Sequence, residues 1–213
     1  ARASSPGRVR RLMGENGLLA PHRVSKRPER LHDGTITTEA VNVLCGTDMT
    51  QTVTLSEGVA HVFVAVDHCN SECVGIHADK SANRFQALEP VRQGVRRHFG
   101  VIGKDVAAGL MLRHDHGPNY MSDDFQSEIA FLGIEASPSF VRQPEGNGVA
   151  ERFIRTLKEN LLWVRTFETI EELRQALLAF RETYNTTWLV ERHGFLTPAQ
   201  FRQRQLQTAA IAA

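Results

Sequence analysis

Three acids in the 213-residue chain have the residue type and setting for metal-assisted phosphate chemistry. Asp48 lies inside an apolar, β-branched stretch, LCGTDMT, where an unpaired charge is costly. Asp115 sits where LMLR runs out into HDHGPN, at the carboxyl end of a short strand, and open α/β sheets place ligand sites at such ends. Glu151 falls in the first turns of a helix that follows the Gly-rich loop PEGNG. Each alone has an ordinary explanation: an edge-strand charge, a turn residue, a solvated helix face. Brought together, three carboxylates cannot all stay ionised without a counter-charge. Mg²⁺ provides one, binding through a few carboxylates and keeping positions open for water and phosphate oxygens. Two such ions about 3.5–4 Å apart activate a nucleophile and stabilise the leaving oxygen in phosphodiester cleavage.

The helix of Glu151 also carries cations. On a wheel of about 100° per residue, Glu151, Arg155, Lys158 and Leu162 fall within an arc of about 60°. Val149, Phe153, Leu157, Leu161 and Val164 form the opposite, core-facing side. One helix therefore presents an acid and two bases along a ridge, and the bases could hold DNA phosphates beside the metals.

The elements that must position these residues are legible in the pattern. Val41–Thr54, Ala60–Val66 (AHVFVAV) and Glu72–His77 read as strands, with the Asp67–Ser71 turn closing a hairpin. Asn83–Phe99 reads as a helix, with Phe85, Leu88, Val91, Val95 and Phe99 at helical spacing. A strand over Ala108–Arg113, a helix over Asp123–Leu132 and a strand over Ile134–Ser137 follow. Gly148–Arg165 and Thr169–Tyr184 are amphipathic helices, and Thr197–Gln205 is a last short one, capped by Thr197 with Pro198 in its first position. Three strands in a run, then alternating helices and strands, imply a mixed sheet with helices on it. Trp163, Tyr184 and Trp188 are expected to pack between helices, and the Ala-rich end to fray.

Composition narrows the class. Charged residues make up 23% and the hydrophobic set 41%, which excludes wholesale disorder. No apolar run approaches the ~20 residues of a membrane span. Three cysteines, Cys45, Cys69 and Cys73, are too few and odd in number for a disulfide framework, and they fit a reducing cytosol. The chain begins at Ala1 rather than Met, as a fragment would. Net charge is only +1, but residues 1–32 hold eight Lys/Arg against two acids. This basic arm, with Arg8, Arg10 and Arg11 on a short helix capped by Ser5, is suited to polyanion, and the body is mildly acidic. Pro21–Gly34 reads as a linker. Rival motifs are weaker. Cys69-x₃-Cys73 with His61, His68 and His77 lacks zinc-ligand spacing. The serines form no nucleophile motif, and the Gly146–Gly148 stretch lacks the Lys-Ser/Thr pair of a phosphate loop.

The segments GTDMT, HDHGPNYMSDDF and GNGVAERFIRTLKEN, with 35 residues between Asp115 and Glu151, resemble the D,D,E transposase and retroviral-integrase superfamily. More narrowly, they resemble the catalytic protein, encoded by the second reading frame, of a bacterial insertion-sequence transposase. The tail YNTTWLVERHGFLTPAQF resembles that family's closing segment, and the likeness spans about residues 35–205. It implies an α/β, ribonuclease-H-like integrase catalytic core: a mixed five-stranded sheet flanked by helices. Residues 1–34 would be the end of a helix-turn-helix region plus linker, and 206–213 a frayed tail. The resemblance implies that Asp48, Asp115 and Glu151 are catalytic and bind two Mg²⁺ or Mn²⁺ ions. It further implies DNA cleavage at element ends and strand transfer into target DNA by a homo-oligomer in the bacterial cytoplasm, at the nucleoid when DNA-bound. Arg155 and Lys158 match DNA-contacting positions. His116 stands where Arg or Asn is commoner in the family, and a DNA-contact role is expected for it. The alternative is a catalytically inactive DNA-binding remnant or regulator of transposition.

Overall fold

A strand without a polar face must be covered on both sides, and AHVFVAV is such a strand. In the structure, a computed structural model that describes residues 5–18, 36–138 and 147–212, it forms the inner part of β2 (Gly58–Asp67). β1 (Leu44–Thr54) and β3 (Cys73–Asp79) flank it, both antiparallel. β1 pairs in parallel with β4 (Met111–His114), and β4 in parallel with β5 (Glu135–Pro138). The order across the sheet is β3-β2-β1-β4-β5. This is the mixed five-stranded sheet that the pattern implied.

The two-residue period of β2 divides the core into two layers. Val62, Val64 and Val66 face α4 (Gly148–Leu157) and α5 (Ile170–Thr187), packing with Phe153, Leu157, Leu173 and Leu177. Phe63 and Ala65 face α2 (Arg84–Phe99) and α3 (Asp123–Phe131), packing with Leu88, Val91, Phe125 and Ile129. Each Leu or Phe fully removed from water here contributes roughly 1.5–3 kcal/mol. α2 lies close on β3 because Gly75 has no side chain: a Cβ there would meet the Pro90 carbonyl oxygen at 1.9 Å.

Most element ends follow local chemistry. Asn83, Ser122 and Thr169 accept first-turn N–H groups at the starts of α2, α3 and α5. Thr197 and Gln200 form a reciprocal capping box at the start of α6 (Pro198–Ala212). α6 continues through the Ala-rich segment, so the stretch expected to fray is helical to Ala212; alanine has the highest helix propensity. β1 begins at Leu44 rather than Val41, because Asn42 takes a left-handed conformation, φ 63°. β4 begins at Met111 rather than Ala108, because the Ala108 and Leu110 amides bond back to the Asp105 and Ala107 carbonyls in local turns instead of to a neighbouring strand.

Residues 1–33 form a compact unit separate from 34–213. Its helix α1 (Pro6–Glu15) starts as expected, with Ser5 Oγ accepting from the Arg8 amide and Pro6 in the first turn. Arg8, Arg10 and Arg11 are exposed, as are Val9, Leu12 and Met13. The expected linker at 21–34 and most of the loop before α4 lie outside the described residues.

Candidate active site

Asp48 stands in mid-β1, directly opposite Val64 of β2, so its side chain is on the α4 face of the sheet. Gly46 of β1 faces Arg113 of β4. Two residues further along each strand direction, Asp48 and Asp115 are therefore level with one another, Asp115 being the first residue beyond β4. Glu151 is in the first turn of α4. Asp48 is half-buried, and Asp115 and Glu151 are exposed. Oδ1 of Asp48 accepts from the Met49 amide at 2.7 Å, and Oδ1 of Asp115 from the Gly117 amide at 2.7 Å.

Asp48 feels the other two acids. Burial, reinforced by the like charges of Asp115 and Glu151, raises the Asp48 carboxyl from 3.8 to about 6, against the pull of the Met49 N–H and the Lys158 cation. Burial also raises Glu151. Among the described residues none of the three acids forms an ion pair. Nor, among those residues, do any three His, Cys, Asp or Glu side chains stand close enough to hold a metal ion as they are. The three carboxylates offer anionic oxygen atoms, the donor type that Mg²⁺ and Mn²⁺ take, but their side chains do not converge on one point.

α4 is held to β1 by a contact that the sequence reading missed. Asn147 occupies the N-cap position of α4, but its side chain makes no cap hydrogen bond. Its Nδ2 donates instead to the Thr47 carbonyl at 3.0 Å. Its Oδ1 and the Nε2 of the buried His68 crowd the same point above Gly46, where a Cβ would meet them at 2.3 and 2.6 Å. His68 Nδ1 is fixed by the Ile36 carbonyl at 2.7 Å. The only signal in the chain was an Asn one helical turn before Glu151.

Known proteins resemble the chain in sequence and in fold. The integrase core domain family model matches residues 132–198, which run from the end of α3 through Glu151 to the start of α6. The putative transposase InsD of insertion element IS2E from Escherichia coli K12 is 25% identical over 201 residues, covering 92% of this chain and 91% of that one. The transposase InsD of IS2A/D/F/H/I/K from Escherichia coli is also 25% identical, and this chain spans 66% of its length. The chain is homologous to insertion-element transposases. The catalytic core of BIV integrase, 20% identical, superposes with a TM-score of 0.55 over 79% of this chain and 99% of that one. That of HTLV-2 integrase, solved with magnesium and 17% identical, gives 0.57 over 76% and 97%. The fold of the chain is thus that of an integrase catalytic core.

Past Glu151 the chain departs from an ideal helix. Lys158–Leu162 is a π-helical turn. The wider turn shifts the register by about one residue, so Leu162 swings from the expected polar ridge into the core while Val164 is turned out to solvent. Trp163, expected to pack, is 69% exposed for the same reason. Lys158 keeps electrostatic reach to Asp48. Arg155 is exposed and pairs with Glu159 at 3.0 Å rather than with Glu151. His116 is exposed beside Asp115. His114 is buried against Tyr120 and Phe125, its Nδ1 2.7 Å from the Asp115 carbonyl. It shapes the turn that carries Asp115. All three cysteines are buried free thiols.

Asp67, expected to be a turn acid, belongs to a second acidic cluster. It is fully buried and accepts from the amides of Asn42, Cys69 and Asn70. Glu72, also buried, is hydrogen-bonded by Arg202 Nε and Asn70 Nδ2, with Arg97 Nε at 3.3 Å. Arg202 extends to Asn42 Oδ1 at 3.0 Å and to Asp67 at 3.6 Å, fastening α6 to the β2–β3 turn.

Proposed function

We propose that the chain cleaves DNA strands and joins them to target DNA in the transposition of a mobile element, with divalent metal ions held by Asp48, Asp115 and Glu151. The observation that carries this reading is a half-buried Asp48 whose carboxyl is raised by burial and by the like charges of Asp115 and Glu151, with no cation paired to any of the three among the described residues. A divalent ion would relieve that repulsion, and the carboxylate oxygens are the ligands Mg²⁺ or Mn²⁺ prefers. The magnesium in the HTLV-2 relative supports the same choice. When bound, a pair of such ions activates the attacking hydroxyl and stabilises the leaving oxygen.

Around the acids, Lys158 and Arg155 would hold phosphates along α4, and His116 would contact DNA next to Asp115. Arg8, Arg10 and Arg11, on an exposed helix, would bind DNA in a second place. Joining an element requires two ends to be held at once, so we propose a homo-oligomer acting in the bacterial cytoplasm. Among the described residues no helix is long and apolar enough to cross a membrane.

The test is a strand-joining assay with duplexes carrying the ends of its own element and Mg²⁺ or Mn²⁺. Wild type should join, while Asp48→Asn, Asp115→Asn and Glu151→Gln should not, with DNA affinity kept within about threefold. Joining that survives all three substitutions would overturn the reading. A wild type that binds the ends but never cleaves them would instead mark a DNA-binding remnant.

A further inference from the structure

Asn147 is an N-cap residue that does not cap. In every other α-helix among the described residues the residue before the first turn, Ser5, Asn83, Ser122, Thr169 or Thr197, uses its side-chain oxygen on its own helix. Asn is as good a cap as any of these, so its diversion at α4 has another cause. Its amide nitrogen crosses a sequence distance of 100 residues to the carbonyl of Thr47, the residue before Asp48. Asn147 is itself one helical turn before Glu151, and both Asn147 and Thr47 are buried. The bond therefore ties the backbone next to one acid to the helix start that carries another.

Two further features make this a built contact. Gly46 leaves the space, since any Cβ there would strike Asn147 Oδ1 and His68 Nε2. His68, fully buried and anchored to Ile36, backs the asparagine from the other side.

We infer that Asn147 is a positioning residue that sets the reach of Glu151 to Asp48 through the Thr47 carbonyl, with Gly46 and His68 forming its seat. The inference rests on the strand-transfer reading for its catalytic consequence, but the tether itself is a separate physical claim.

Asn147→Asp separates the tether from capping. Aspartate has the same size, caps helices equally well and suits the positive end of the helix dipole, yet it cannot donate to the Thr47 carbonyl. The probes are Mn²⁺-dependent nicking of supercoiled plasmid under single-turnover conditions, plasmid affinity, and amide exchange in the first turn of α4. For Asn147→Asp we expect nicking to slow by about 30-fold or more, as a displacement near 1 Å can do, with plasmid affinity unchanged within about twofold. The α4 amides should exchange about tenfold faster. Gly46→Ala, which expels the pair while leaving Asn147 in place, should slow nicking in the same way. Wild-type rates with unchanged or slower exchange in Asn147→Asp would overturn the inference and leave Asn147 an ordinary cap. If wild type does not nick, or Asp48→Asn nicks equally well, the strand-transfer reading fails. Exchange in Asn147→Asp then decides the tether alone: faster supports it, unchanged or slower overturns it.

Discussion

Asp67 and Glu72 lie deeper in the molecule than Asp48, Asp115 and Glu151, yet they are the better satisfied acids. Around the deep pair the chain supplies Arg202, Arg97, Asn70 and three backbone amides. Burial alone would raise both: at Glu72 the Arg202 guanidinium overrides it and holds the carboxyl below its usual range, while at Asp67 burial outweighs the Asn42 amide and Arg202 and the carboxyl stays raised. Asp48 receives one adjacent amide and the distant Lys158, and is driven up to about 6. The difference separates two uses of a buried acid. A carboxylate given its own guanidinium is part of the fold. A carboxylate left among like charges, at the edge of solvent, is a candidate for binding a cation.

The comparison can be broken at several points. The largest effect expected is Glu151→Gln on strand joining, a loss of about 10³-fold or more, equivalent to ~4 kcal/mol of barrier, with folding stability nearly unchanged. Urea denaturation of the same variant checks the second half. If the deep acids are structural, the reverse holds for Arg202→Met. It should cost about 3–5 kcal/mol of stability by leaving Glu72 and Asp67 buried without their cation, read as a shift in the urea midpoint. A loss under ~1 kcal/mol would mean that the two clusters do not differ as described.

Asp48→Asn probes the other side with the opposite sign. The folded-state pKa is raised from 3.8 to about 6, so the ionised carboxylate opposes folding. That penalty is absent below about pH 4, grows through the interval and is complete above about pH 6. Asp48→Asn should therefore stabilise the protein at pH 7 by about 1–2 kcal/mol, allowing for the partial exposure of the group, and not at pH 3.5. Denaturation at the two pH values measures it. In wild type, Mn²⁺ at 100 times its Kd should raise stability at pH 7 by about 2.7 kcal/mol, and the same addition should leave Asp48→Asn nearly unmoved. The smallest effect belongs to Arg155. Its exposed pair with Glu159 should be worth under ~0.5 kcal/mol, while Arg155→Ala should lower the salt-dependence slope of DNA binding by about 1.

Strands and helices were readable because burial repeats with a short period. AHVFVAV has no polar face, and β2 is covered on both sides. Thr197 before Pro198 reads as a cap, and its hydroxyl caps α6. Asp48 inside a strand, Asp115 past a strand end and Glu151 in a first helical turn were likewise local features, and each lies where its pattern put it. Asp67 looked like a turn acid because nothing nearby in sequence neutralises it; its cation is contributed by α6. Trp163 and Val164 looked like core because an ideal wheel carries no record of a π-helical turn.

The sequence by itself determined the order of elements, the faces they bury and the three acids with the ridge of bases beside Glu151. Those depend on the nature of each residue and its neighbours a few positions away. Only the tertiary structure decided which acids are neutralised and which are not, and what holds α4 on β1. Arg202 meets Glu72 across 130 residues and Asn147 meets Thr47 across 100. A hydrogen bond depends on positions within a few tenths of an ångström, and over such separations those positions are set by the packing of the sheet and its two helical layers.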